Sequence, residues 1–111
     1  MIAKEKYLPI GTVVLLKGGN KKVMILSYLI FSNGNEKNKK MYDYGACRFP
    51  EGVMDSNTAI GFNHSQIDKV LYMGFAEDKE YKDLNEALSK FGEDMKEEFT
   101  RSVLNHEDVK E

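Results

Sequence analysis

The apolar positions change their period once along the chain, and the change falls near residue 76. Before it, short runs of β-branched, aromatic and aliphatic residues alternate with Gly, Asn and Pro. Such runs suit strands, and such punctuation suits turns. "TVVLLKG" (12 to 18) predicts a first strand and "KVMILSYLIF" (22 to 31) a second. "GGNK" (18 to 21) joins them as a hairpin turn, because Gly and Asn tolerate positive φ. The second run is almost continuously apolar, which predicts a central strand buried on both sides for part of its length. "SNGNEKNKK" (32 to 40) has no apolar residue and reads as a solvated connection. "MYDYGACRF" (41 to 49) predicts a third strand, with Gly45 marking a bulge or a bend. "PEG" ends it: Pro50 presets a turn and Gly52 relieves its exit. "TAIGFNHSQIDKVLYMGF" predicts two short strands, at 58 to 62 and 68 to 75, around a polar turn near "NHSQ".

From Glu77 the apolar residues step by three and four: Tyr81, Leu84, Leu88, Phe91 and Met95, continued by Phe99 and Val103. This predicts an amphipathic helix over about 78 to 104, with Asp78 as its N-cap. Gly92 is a local weakness in it, costing about 1 kcal/mol relative to Ala. The closing "HEDVKE" is expected to fray. The fold class is therefore α+β. A β-rich body (7–76) of five antiparallel strands, an SH3-like barrel or a curved open sheet, precedes a C-terminal helical region (77–105) in one domain spanning 1–111.

The helix stripe also bears on function. Seven turns are long for a small body, so Tyr81, Leu84, Leu88 and Phe91 are expected to anchor on the sheet. Met95, Phe99 and Val103 are then expected to project and form the partner-binding residues. The bland alternative is that the whole stripe is core.

At 111 residues with 41% hydrophobic and 31% charged residues, the chain can bury one core without staples. The formal charge of −2 divides unevenly. Residues 1 to 76 hold ten Lys or Arg against six Asp or Glu; residues 77 to 111 hold six against twelve. A basic body with an acidic tail can steer partners, or can simply be two solvated surfaces. "MIAKEKYLPIG" lacks an apolar h-region and a cleavage site, and no apolar run is long enough for a bilayer, so a cytoplasmic protein without a membrane partner is expected. One thiol, Cys47, excludes an intramolecular disulfide and agrees with a reducing compartment.

The candidate chemistry is thin. A nucleophilic Cys47 needs a base and a group to orient it. His64 is the available base, with Asp43 as the third group, but no known nucleophile motif surrounds any of them. Two histidines and one cysteine, without CxxC or HxxxH spacing, give no metal site. "GTVVLLKGGNKK" is followed by a strand and not by the helix that a phosphate loop needs. Lys17, Lys21, Lys22, Lys37, Lys39 and Lys40 cluster on two loops, the footprint of a small nucleic-acid-binding barrel, yet the sequence pI is about 5.7 and no RNA-binding signature occurs. No catalytic residue, cofactor or metal is expected: the leading expectation is a non-enzymatic protein-binding module, the alternative is a small nucleic-acid-binding β-barrel, and a hydrolase-like enzyme built on Asp43, Cys47 and His64 ranks third.

"YLPIGTVVLLKGGNKKVMI", "YDYGACRFPEGV" and "GFNHSQIDKVLYMGF" resemble an uncharacterised family of small proteins from Gram-positive bacteria, a domain of unknown function. The resemblance covers about residues 7 to 76. Its members tend to be encoded near type VII secretion components and their LXG-type toxins. It implies an accessory role in handling effectors before export, with a helical effector segment, another accessory protein or a second copy as partner. It carries over no catalytic residue; Tyr42, Asp43, Pro50, Gly52, Asn63 and His64 equally suit turn and strand positions.

Overall fold

The structure, a computed structural model, describes residues 7–31, 40–55 and 59–110, without the side chains of 100 and 102–110. The polar connection expected at 32 to 40 lies outside it except for Lys40. So do Lys37, Lys39 and the first residue of the strand expected at 58.

Among the described residues, five strands and one helix follow in chain order: β1 (Val13–Leu16), β2 (Lys22–Phe31), β3 (Met41–Arg48), β4 (Ile60–Phe62), β5 (Ile67–Tyr72) and α1 (Lys79–Lys110). All strand pairs are antiparallel, in the order β4-β3-β2-β1-β5. The β1–β2 hairpin turns through Gly18, at φ 77°, as its sequence requires. At the end of β3 Gly52 takes φ 83° and its N–H donates to the Arg48 carbonyl at 2.8 Å.

Of the two architectures expected, the open curved sheet is the one observed. β4 and β5 are opposite edges, and they are joined by only Asn63 and the 3-10 turn His64–Gln66. Strands at the two edges of a flat five-stranded sheet would lie about 19 Å apart. A link that includes a compact turn falls short of that. The sheet therefore coils strongly, and its edges approach without forming a ladder.

Cross-strand pairs define the inner face. Val70–Val14–Val23, Ile25–Ala46–Ile60 and Tyr28–Tyr44–Phe62 form three rows across it. Between Ile25 and Ser27 the register slips by one, so Leu26 is the extra residue of a bulge. The slip lets both Ile25 and Tyr28 face inward although they are three apart. This accounts for apolar residues three apart on one face of β2, on either side of Leu26 and Ser27. Opposite the bulge sits Gly45, where a Cβ would run into Ser27 Oγ.

Over this face lies the segment Tyr7–Pro9, and over that lies α1. Tyr7 and Leu8 are buried in the core cluster, and Leu88 packs against it. Asp78 caps α1 as expected: its Oδ2 accepts the Tyr81 N–H at 2.9 Å. The strand expected to run to 75 ends at Tyr72, because the Gly74 N–H turns to Thr12 Oγ1 at 3.0 Å. The helix does not stop near 104 but continues to Lys110. Its 32 residues span about 48 Å, against about 33 Å for the ten residues of β2, the longest strand.

Candidate functional site

α1 presents two surfaces, and neither is the plain apolar stripe of the sequence. The face turned to the sheet carries Tyr81, Asn85, Leu88, Gly92, Lys96 and Phe99, all at least half-buried in step with the helical period. Leu84 and Phe91, expected to anchor on the sheet, are 47% and 57% exposed, and Met95 is 48% exposed. The stripe read from apolarity is thus rotated by a fraction of a turn from the stripe that packs.

Polar groups occupy the packed face because each has a partner. Asn85 Oδ1 accepts the Tyr7 N–H at 2.7 Å, and the Tyr81 hydroxyl donates to the Tyr7 carbonyl. Gly92 makes room for the Tyr7 hydroxyl, which a Cβ there would strike. Lys96 reaches β3, where its Nζ lies 2.9 Å from Asp43 Oδ1 and 3.2 Å from Asn63 Oδ1. The side chains of this ion pair are only 19% and 9% exposed.

Asp43 is the hub of this cluster. Its Oδ1 also accepts the Tyr7 hydroxyl at 3.2 Å, and its Oδ2 accepts the His64 backbone N–H at 2.8 Å. Its own N–H donates to Asn63 Oδ1 at 3.1 Å. One carboxylate thus ties four segments together: the chain entry, β3, the β4–β5 turn and α1. Charge-assisted bonds of this kind are the strong ones.

Next to it, Tyr44 Oη accepts the Leu8 N–H at 3.0 Å and lies 2.7 Å from His64 Nδ1. The Tyr28 hydroxyl donates to the Leu8 carbonyl at 2.6 Å. The rings of Tyr7, Tyr28 and Tyr44 meet edge-on or tilted, with centroids 5.7 to 6.1 Å apart. Burial pushes the Tyr28 phenol up to about 12, with Tyr81 adding to it. Burial also raises Tyr44, Tyr81 and Tyr7, and the Asp43 carboxylate raises Tyr7 further.

The structure brings Asp43 and His64 together, but through the histidine's backbone and not its ring. Cys47 is buried on β3, paired with Met24, four residues and about 13 Å along the strand from Asp43. Among the described residues no group of His, Cys, Asp and Glu converges to hold a metal ion. Two of the loop cations are engaged locally. Lys21 Nζ lies 2.7 Å from the Glu51 carboxylate and lowers its pKa, and Lys22 sits over the Phe49 ring at 5.6 Å.

On the outer side of α1, Leu84, Phe91 and Met95 stand in line at helical spacing as an apolar ridge. Its N-terminal end opens into a groove of about 260 Å³, walled by Ile10, Tyr28, Phe75 and Leu84 and carrying Asp78 and Glu80. Of the residues expected to bind a partner, Met95 is on this ridge. Phe99 is instead stacked on Phe31, with centroids 5.3 Å apart. The side chain of Val103 lies outside the described residues. Leu84 and Phe91 were missed as surface residues. The signal for them was Gly92 and Lys96, which mark a different packed face.

Among the described residues no helix is long and apolar enough to cross a membrane. Residues 7–82 match the model of one protein family, described as a domain of unknown function, DUF4176. No curated protein and no solved structure matches the chain.

Proposed function

The chain belongs to the DUF4176 family, and from that premise we propose that it is a non-enzymatic accessory factor that binds another protein through the outer ridge of α1. One observation carries this reading: Leu84, Phe91 and Met95 form an exposed apolar line on a capped helix whose other face is already packed. A helix that keeps large side chains in water beside a satisfied face is built to meet a partner. The polar cluster under the helix supports the same reading. Its groups are spent on tying segments together, and none of Tyr7, Asp43, Tyr44, Asn63, His64 and Lys96 lines the groove. The resemblance to small Gram-positive proteins encoded near type VII secretion genes supplies the setting, effector handling in the cytoplasm before export.

The test is co-purification from the native host with tagged wild type and Phe91→Asp. The reading predicts a protein retained in fixed ratio by wild type and lost by a variant that melts at the same temperature. Equal recovery from both, or nothing retained by wild type, overturns it.

A further inference from the structure

The charges beside the ridge say what kind of segment it takes. Glu80 stands four residues before Leu84, Asp94 three after Phe91, and Glu98 three after Met95. By helical geometry these acids border the ridge on the side away from the sheet, with Ala87 between them. All three are exposed. Of the five cations of this stretch, Lys96 is on the packed face, Lys79 and Lys82 lie well round the helix, and Lys90 and Arg101 stand on the far side of the acids from the ridge, as helical neighbours of Asp94 and Glu98. The groove at the ridge's end repeats the scheme on a smaller scale: apolar walls with the carboxylates of Asp78 and Glu80.

Resting on the proposed binding role, we infer that the ridge of α1 docks a cationic amphipathic helix of another protein. That helix seats one large apolar side chain in the groove and sets a row of Lys or Arg along Glu80, Asp94 and Glu98. Apolar anchors at i, i+3, i+4 and i+7 match the line of Leu84, Phe91 and Met95. The flanking cations give the orientation and speed the encounter. A second copy of this chain does not fit. Ridge against ridge in antiparallel order sets Glu80 against Glu98, and like charges so placed are repulsive. In parallel order the acid-bearing flank of one helix meets the other flank of its copy, which the copy's own sheet already covers.

The experiment uses the full chain and two synthetic peptides of about 20 residues, long enough for five turns. One has leucines at i, i+3, i+4 and i+7 with flanking lysines; its twin has glutamates in place of the lysines. Fluorescence anisotropy measures both against wild type, Phe91→Asp and Glu80→Lys/Glu98→Lys, with circular dichroism confirming that each variant is folded. The inference predicts that wild type binds the cationic peptide at least about ten-fold more tightly than the acidic twin. Phe91→Asp loses at least about ten-fold despite its added negative charge. Glu80→Lys/Glu98→Lys weakens the cationic peptide and spares the acidic one. Undiminished binding to Phe91→Asp would mean bulk charge alone and overturns the inference. So does equal binding of the twins, or a wild-type dimer that Phe91→Asp dissociates. If Phe91→Asp loses its native partner while the charge reversals change nothing, the accessory role stands and the inference falls.

Discussion

The hydroxyl of Tyr7 occupies the space that a Cβ on Gly92 would need. Glycine in mid-helix is ordinarily a defect of about 1 kcal/mol, repaired by alanine. Here the repair fails, because Tyr7 is held by its Asp43 bond and by the Tyr28 and Tyr44 rings and has little freedom to withdraw. Gly92→Ala is expected to lower the melting temperature. It should cost less in a Tyr7→Phe background, where the clashing oxygen is gone. A double-mutant cycle by urea denaturation measures that coupling.

The Asp43–Lys96 pair yields an ordered prediction. Asp43→Ala strips acceptors from Tyr7, Lys96 and the His64 N–H together, and should cost about 3 kcal/mol, as losing one side of a buried pair does. Lys96→Met keeps the packing stem and leaves Asp43 two donors, so it should cost less, about 1 kcal/mol. The reverse order in equilibrium unfolding would mean that the helix, and not the carboxylate, organises the cluster.

The four buried phenols set a pH dependence. Tyr7, Tyr28, Tyr44 and Tyr81 all have raised values in the fold, chiefly through burial. The unfolded chain therefore gives up these protons first, from about pH 10. Above that pH the native state holds more protons than the unfolded state, so stability falls as pH rises, and the contribution is intact below it. Tyrosinate absorbance should appear together with the loss of far-ultraviolet dichroism as the pH passes 10 toward 12, and Tyr28→Phe should soften the decline.

Leu88 and Phe91 are three positions apart but differ in what they touch. Leu88 packs on the core cluster, and its truncation to Ala should cost about 2 kcal/mol. Phe91 is 57% exposed, and Phe91→Asp should stay within about 0.5 kcal/mol of wild type. Thermal melts of the two variants decide between them.

The contrast also shows where sequence reading reached and where it stopped. The β1–β2 hairpin, the turn after β3 and the Asp78 cap were legible, because glycine, proline and aspartate act there through local backbone geometry. The strand order and the open sheet depend on long-range pairing, which left barrel and curved sheet undecided. The packed face of α1 is not legible from apolarity, because polar residues and a glycine fill much of it. Asn85, Gly92 and Lys96 are inside only because Tyr7 and Asp43 meet them there. Those two residues are 78 and 53 positions away from their helix partners Asn85 and Lys96. Tyr7 and Leu8 belong to no predicted strand or helix, yet both are core.

The most direct test of the account is photo-crosslinking in the native host, with a benzophenone amino acid placed at position 91 and, as a control, at position 97. Glu97 is exposed and lies well round the helix from the ridge. The account predicts a discrete adduct between this chain and a different protein from position 91, and none from position 97. The same adducts from both positions, or an adduct of the chain with itself alone, would contradict it.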